Sequence, residues 1–319
     1  MNKFIKIIFY IILNLFLLNA YTMAEQEKMK IGLLVPLSGT NKDLGQSIIK
    51  AVKLAVKDIN NDYIEIIPKD TASKPEKALK SAQELKEQGV NIVIGPVFYN
   101  SLSNLGEIKE LTFLSLTNRT LDLPSNVISA GINSTSQFKT IKKFFELKGI
   151  KKTIFLIPMQ DFEFEIKEGV KKSKINVFKQ YLYNADPTKL TNQIEDITNY
   201  KIRKQNLEDE INRIKKSSDQ NKEKKIKKLE QRYTLGGLNF EAVVIADFDE
   251  SLRSVSTSLL YTDVIPSNKY FITLNQWFDK SLLKETDIQP LYYPSINKLN
   301  FENYENKFFD EYNEYPSHL

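Results

Sequence analysis

Short apolar runs alternate along this chain with longer segments whose apolar residues recur at helical spacing. The run MKIGLLVPL, residues 29–37, is closed by Ser38 and Gly39, and segment 45–60 follows with its apolar residues on one side. A short run that is apolar almost throughout is typical of a parallel strand buried on both faces. Repeated alternation of such strands with helices predicts a parallel sheet covered by helices on both sides.

The alternation extends over most of the chain and starts twice. The predicted strands are 29–37, 63–68, 91–95, 111–116 and 126–130, then 152–158, 175–183, 240–246 and 269–274. The predicted helices are 45–60, 74–88, 162–172 and 301–312. Ser73 is expected to cap the second of these helices, with Pro75 in its first turn. The restart predicts two α/β lobes, one formed by 30–132 and 296–319 and the other by 133–295.

Residues 1–24 have the pattern of a cleavable signal peptide. Lys3 and Lys6 precede the largely apolar run 7–18, and the small residue Ala24 ends the segment. An uncleaved membrane anchor is the alternative, but the run is short for a bilayer span, which needs about 20 residues. No cysteine follows the apolar run, so we expect no lipid anchor. We therefore expect an exported protein of the periplasm.

The composition excludes several classes of catalytic and metal site. Among 319 residues there is no cysteine and one histidine, His318, next to the last residue. A thiolate nucleophile, a Ser–His pair and a Cys/His zinc site therefore lack their residues. Neither the phosphate-loop spacing G-x-x-x-x-G-K-[ST] nor the nucleophile elbow G-x-S-x-G is present. We expect a non-enzymatic protein with no cofactor and no bound metal.

A basic segment, residues 201–235, interrupts the second lobe. Residues 201–233 contain 12 Lys or Arg and 6 Asp or Glu, a local charge of +6, whereas the whole chain carries +5. Apolar residues at helical spacing on both sides of 217–221 predict a charged αα-hairpin. A solvated elaboration and a docking arm for an acidic partner or an anionic membrane surface both fit this composition. Nucleic acid is not an expected partner of an exported protein.

The first strands resemble those of the leucine-binding-protein-like family. IGLLVPLSG, residues 31–39, is followed by Gly45 and a long helix, and NIVIGP, residues 91–96, resembles the family's third strand and the turn after it. The resemblance implies the two-lobed type I periplasmic-binding fold over residues 30–319. It also implies a further helix and strand after 314–317, so we expect the C-terminal part of lobe one to be missing from this sequence.

The same resemblance implies where a small polar ligand would bind. Family members that bind amino acids hold them between the lobes, and ligands of open α/β sheets bind beyond the carboxyl ends of strands. Matched by motif, the contacts in the first lobe are Ser38, Tyr99, Asn100, Ser101, Thr117 and Asn118, and those in the second are Asp161, Phe162, Asp247 and Glu250. Loop hydrogen bonding is an alternative role for Thr117 and Asn118, and helix-terminal charge or capping for Asp247 and Glu250.

A second branch of the same superfamily is similar at two further places. The turn GPVFYNSL, residues 95–102, and the run FEAVVIAD, residues 240–247, resemble the corresponding segments of penicillin-binding-protein activators. This resemblance implies an interaction protein that contacts a cell-wall synthase, and we favour it because the small serine-rich turn of amino-acid receptors is replaced by bulkier residues. The alternative is a solute receptor that delivers an amino acid, or a similar small polar ligand, to an ABC permease.

Overall fold

The computed structural model of the chain describes residues 28–275 and 281–317. These residues form two sheets of five parallel strands each, with helices between the strands. The predicted α/β fold, with parallel sheets flanked by helices, is therefore confirmed. The predicted signal peptide, residues 1–24, and His318 lie outside the described residues. No helix among the described residues combines the length and apolarity that a bilayer span requires.

Among the described residues, the first of two compact units contains 28–117, Leu123–Ala130 and 305–317. Its strands are β1 (Met29–Val35), β2 (Ile64–Asp70), β3 (Ile92–Ile94), β4 (Thr112–Ser115) and β5 (Val127–Ser129). They lie in the order β2-β1-β3-β4-β5, which places β1 inside the sheet. Helices α1 (Lys42–Ile59) and α2 (Pro75–Glu87) connect the first three strands.

The second unit contains Asn118–Asp122 and Gly131–Tyr304. Its strands are β6 (Thr153–Pro158), β7 (Lys179–Tyr183), β8 (Ala242–Ile245), β9 (Tyr270–Thr273) and β10 (Leu291–Tyr292), in the order β10-β9-β8-β6-β7. Its helices are α3 (Ser134–Lys148), α4 (Glu163–Ser173), α5 (Pro187–Ile197), α6 (Tyr200–Lys215), α7 (Lys222–Glu230) and α8 (Asp249–Tyr261). A last helix, α9 (Lys298–Tyr312), begins in this unit and ends in the first.

Strand β8 shows why the central strands are apolar throughout. Val243 and Ile245 lie in one core cluster with Leu252, whereas Ala242 and Val244 lie in the cluster on the opposite face of the sheet. Every residue of β8 is fully buried because helices cover both faces. The continuous apolar runs that predicted parallel strands follow from this two-sided burial.

The glycine in the opening motif has a steric reason. A Cβ atom on Gly45 would lie 1.8 Å from the carbonyl oxygen of Pro36, closer than any real contact. Helix α1 therefore approaches the chain that follows β1 at a distance that only glycine permits.

The predicted cap of the second helix is wrong. The N-cap of α2 is Lys74, which makes no side-chain cap bond, while Pro75 does occupy the first turn as predicted. Ser73 has a positive φ of 58°, and its hydroxyl accepts a hydrogen bond from the amide of Asn41 at 3.1 Å. The hydroxyl that was predicted to cap α2 is therefore bonded instead to a loop residue 32 positions away in the chain.

Two helices and one short strand were not predicted, namely α3, α5 and β10, and α8 entered only through the helix-terminal alternative for Asp247 and Glu250. Helix α3 carried a usable signal, because Phe138, Ile141 and Phe145 are buried on one face and Asn133 caps the helix by accepting from the backbone N–H of Ser136. The predicted strand 175–183 begins later than expected, at Lys179. The charged helical hairpin is confirmed: α6 and α7 pack against each other and are separated by residues 216–221.

Candidate functional site

At the carboxyl edge of the first sheet, Ser38 is tied to a carboxylate that the sequence reading missed. The parallel register pairs Val35 with Asp70, so the loop after β1 lies beside the end of β2. Ser38 Oγ donates to one oxygen of Asp70 at 2.6 Å, and the backbone N–H of Leu37 donates to the other at 2.7 Å. Lys77 Nζ forms an ion pair with the same carboxylate at 2.5 Å. The sequence did offer a signal for Asp70, because this acidic residue comes directly after the predicted strand 63–68 and its next residue.

This network keeps Asp70 ionised. Partial burial by itself raises the pKa of the carboxyl, but hydrogen bonds from Lys77, Ser38 and the backbone N–H groups of Ala72 and Leu37 outweigh it. The net effect lowers the pKa of Asp70 well below its ordinary value. The group is therefore charged at neutral pH, and it anchors two loops at the carboxyl edge.

The turn after β3 contains three predicted ligand contacts. Tyr99–Leu102 forms a short 3-10 helix, in which Asn100 is exposed and Tyr99 packs partly against the core of the sheet. Ser101 is 1% exposed, and its hydroxyl has no hydrogen-bond partner among the described residues. A buried hydroxyl without a partner is uncommon in folded proteins.

Thr117 and Asn118 follow β4 but differ in burial. Thr117 is 4% exposed, and its backbone carbonyl accepts from Ser129 Oγ at 2.7 Å while its N–H donates to Ser115 Oγ at 3.3 Å. Asn118 is exposed. The backbone of Thr117 therefore takes part in loop hydrogen bonding, which was the alternative to ligand contact.

At the carboxyl edge of the second sheet, Asp247 is enclosed by donors from its own unit. It is 2% exposed and accepts hydrogen bonds from the phenol of Tyr183, from Ser251 Oγ at 2.5 Å and from the N–H of Phe248 at 2.8 Å. Burial raises the pKa of Tyr183 strongly, and the charge and hydrogen bond of Asp247 raise it further. Tyr183 therefore stays protonated and serves as a fixed donor.

The remaining predicted residues of the second lobe lie near this carboxylate in sequence but differ in surroundings. Phe162 packs edge-to-face against Phe248, with ring centroids 5.8 Å apart. Glu250 lies in the first turn of α8 and pairs with Arg253, while Asp161 is exposed. Helix α8 has Phe248 as its N-cap and no side-chain cap bond. Glu250 thus supplies helix-terminal charge rather than a cap.

Each sheet edge therefore holds one polar cluster built from its own residues. Ser38 belongs to the cluster in the first unit and Asp247 to that in the second. Tyr183, Ser251, Asp70 and Lys77 were not predicted. Tyr183 and Asp70 meet their partners Asp247 and Ser38 only through the sheet, whereas Ser251 and Lys77 lie four and seven residues from the carboxylates that they contact. Within the described residues, no three His, Asp or Glu side chains are grouped as metal ligands would be.

The profile of the periplasmic binding protein family matches residues 28–201. The chain belongs to the periplasmic binding protein family. This family is non-enzymatic, in agreement with the absence of catalytic motifs from the sequence. No curated protein sequence matches the chain significantly.

Solved structures with a similar fold include two kinds of periplasmic binding protein relative. A putative branched-chain amino acid ABC transporter protein from Rhodospirillum rubrum has a TM-score of 0.62 and 11% identity, covering 91% of this chain and 79% of that one. Full-length LpoA from Haemophilus influenzae has a TM-score of 0.53 and 14% identity, covering 82% of this chain.

The C-domain of Haemophilus influenzae LpoA, described as a regulator of PBP1A, has a TM-score of 0.49 and 16% identity, covering 77% of this chain. This chain spans 65% of that C-domain and 41% of full-length LpoA. At these identities the two structures with TM-scores above 0.5 show likeness of fold alone.

Proposed function

We propose that this periplasmic binding protein is a non-catalytic interaction protein of the cell envelope that contacts a cell-wall synthase, as penicillin-binding-protein activators do. The observation that carries the proposal is the enclosure of Asp247. An amino-acid receptor needs a carboxylate that can meet the ammonium of its ligand. Here the carboxylate is 2% exposed and is already bound by Tyr183, Ser251 and the N–H of Phe248.

The first unit supports the same conclusion. Ser38 donates to Asp70, and Lys77 neutralises that carboxylate at 2.5 Å. A ligand carboxylate that took the hydroxyl of Ser38 would leave Asp70 with one donor fewer. The polar groups at both edges thus stabilise their own loops and are poorly suited to exchange partners with a solute.

The proposal includes the cellular location and the lobes. Export would follow from cleavage of residues 1–24, and the mature chain would act in the periplasm. Lobe one would be formed by 30–132 and 296–319, and lobe two by 133–295.

A solute receptor for an ABC permease is the second candidate. One observation favours it: the buried hydroxyl of Ser101 lacks a partner at the turn that the family resemblance assigns to ligand contact. A bound carboxylate or amide oxygen would supply that partner. The small polar ligand would then include an amino acid or a molecule of similar chemistry.

The test compares synthase activation with ligand binding on one preparation. A purified bifunctional cell-wall synthase is assayed for glycan polymerisation with increasing concentrations of the chain, and a branched-chain amino acid receptor of the same fold serves as the control. The proposal expects a saturable rise in rate that the control protein does not produce.

The second arm measures thermal unfolding and calorimetric heats with the twenty amino acids, first pooled and then singly. A rise in melting temperature with matching binding heat, together with an unchanged synthase rate, would replace the proposal by the receptor function. A rise in synthase rate without any amino-acid effect would support it.

A further inference from the structure

Helix α7 (Lys222–Glu230) carries a cluster of exposed lysines on one face. Five of its nine residues are lysine and none is arginine. Lys224, Lys227 and Lys228 are spaced i, i+3 and i+4, which places them on one face. All three are exposed, and none of them forms an ion pair with the described carboxylates, whereas Lys225 pairs with Asp219.

The opposite face of α7 is directed to the protein. Ile226 and Leu229 of α7 are half-buried, and α7 packs against α6. Leu207 and Ile214 of α6 are buried. No residue of α7 is fully buried. The lysines therefore lie on the side away from the packing contact and contribute nothing to it.

Lys224 lies at i,i+3 and i,i+4 spacing from Lys227 and Lys228, so these like charges repel one another. Like charges at i,i+4 destabilise a helix by a few tenths of a kcal/mol per pair. Glu223 and Glu230 flank the stripe at i,i+4 and i,i+3 spacing from Lys227 and offset part of the repulsion, so the five lysines and two glutamates leave α7 with a net charge of +3.

Hydrogen bonds fix the root of the hairpin, which is the start of α6 and the segment after α7. Buried Arg203 of α6 donates to the carbonyl of Thr262 at 2.9 Å and to Thr234 Oγ1 at 2.6 Å. The backbone N–H of Leu235 donates to the carbonyl of Arg203 at 2.9 Å. The start of α6 and the segment after α7 are thereby tied together and to the end of α8.

The residue types indicate the partner. Protein interfaces are enriched in arginine and aromatic residues and depleted in lysine, because arginine matches carboxylates with two parallel hydrogen bonds. Lysine is a compact point charge that suits a diffuse anionic surface, and clusters of lysine next to such surfaces bind acidic lipids. Tyr233, which follows α7, is 77% exposed and has the amphipathic ring found at membrane–water interfaces.

We propose that the face of α7 formed by Lys224, Lys227 and Lys228 binds the surface of an anionic phospholipid bilayer. The inference is independent of the proposed function, because it rests on the hairpin and not on the sheet edges. It assigns the basic insertion to holding the protein at a membrane.

The test is co-sedimentation of the full chain with vesicles. Vesicles of phosphatidylglycerol mixed with phosphatidylcholine are compared with vesicles of phosphatidylcholine alone, at low and at high salt. We expect the chain to bind the anionic vesicles in preference to the neutral ones at low salt, and we expect high salt to abolish this preference. The triple substitution K224Q/K227Q/K228Q is expected to lower the partition coefficient at low salt by about ten-fold or more. K224R/K227R/K228R keeps the charges and should keep the binding.

Helix α3 provides a matched control. Lys139, Lys142 and Lys143 have the same i, i+3, i+4 spacing in the same unit. K139Q/K142Q/K143Q removes the same charge and should retain most of the vesicle binding, and melting temperatures verify that all variants are folded. The proposal would be overturned if the two triple variants lost vesicle binding equally, or if the wild type bound anionic and neutral vesicles equally well. So would tighter binding to polyglutamate than to vesicles at equal salt, because that result indicates an acidic protein partner.

Discussion

The phenol of Tyr183 donates a hydrogen bond to the carboxylate of Asp247, although 64 residues separate them in the chain. Tyr183 ends β7 and Asp247 follows β8, and strand β6 lies between these strands in the sheet. Both side chains are buried, at 0% and 2% exposure. The contact therefore bridges the carboxyl ends of two strands that are not neighbours, and through Ser251 it reaches the first turn of α8.

Replacing Tyr183 by Phe should destabilise the protein. The variant removes one donor from a buried carboxylate and keeps the ring that fills the core, so the cost is that of an unsatisfied polar group, about 1–3 kcal/mol. Urea unfolding monitored by circular dichroism measures the change. Tyr181→Phe on the same strand removes a half-buried phenol that makes no side-chain hydrogen bond described in the structure, and it should be nearly neutral. Equal effects of the two substitutions would contradict the structural role of the Tyr183–Asp247 bond.

Asp70 should make stability depend on acid pH. Its pKa in the folded chain lies below the ordinary value of 3.8, so its contribution is complete above that value and is lost as pH falls through the folded pKa. Asp70→Asn is therefore expected to be less stable than the wild type by about 1–2 kcal/mol at neutral pH. The loss is limited because Lys77 is partly exposed, and solvent weakens its ion pair with Asp70. The difference should shrink between about pH 5 and about pH 2.

Urea midpoints measured across this pH range test the prediction. Asp62→Asn removes an exposed carboxylate and serves as the control, with little expected effect at any pH. A wild-type–Asp70→Asn difference that stays constant with pH would show that the carboxylate is not held in its charged form.

Arg203→Lys should loosen the root of the hairpin. Lysine keeps the positive charge but cannot donate at once to the carbonyl of Thr262 and the hydroxyl of Thr234, as the guanidinium does. We expect the free energy of unfolding to fall by about 2–3 kcal/mol, because a buried charged group that loses its hydrogen bonds is strongly destabilising. We also expect faster amide exchange in α6 and α7 than in α3. Hydrogen exchange with mass spectrometry resolves these helices. Lys204→Gln, at an exposed neighbouring position, should leave exchange unchanged.

Ser101→Ala separates the two candidate functions. The hydroxyl has no partner in the described structure, so its removal should change stability by less than about 0.5 kcal/mol. Ser115→Ala should cost about 1 kcal/mol, because that hydroxyl donates to the carbonyl of Pro96 at 2.8 Å. If the chain is a solute receptor, Ser101→Ala also weakens ligand binding in calorimetry, whereas an interaction protein activates its synthase equally well with either residue. A large destabilisation by Ser101→Ala would mean that its hydroxyl has a structural partner.

The sequence predicted those features that depend on burial pattern alone. Strand β8 is apolar throughout and β6 is apolar after Thr153 because both faces of a parallel sheet are covered, and the resulting runs are visible in the sequence. The hairpin of α6 and α7 followed from helical spacing around a polar turn. The extent of helix α8 was not predicted because its serines suggest an exposed segment, although Ser256 is buried and donates its hydroxyl to the carbonyl of Leu252 at 2.8 Å.

Only the tertiary structure decided which polar side chains meet. Ser38 finds Asp70 because β1 and β2 are neighbours in register, and Asp247 finds Tyr183 across an intervening strand. Hydrogen bonding requires atoms to approach within about 3 Å in a suitable orientation, which no residue spacing encodes when the partners are tens of residues apart. The apolar pattern of the sequence thus determined the parallel sheets, and chain topology determined the polar clusters at their edges.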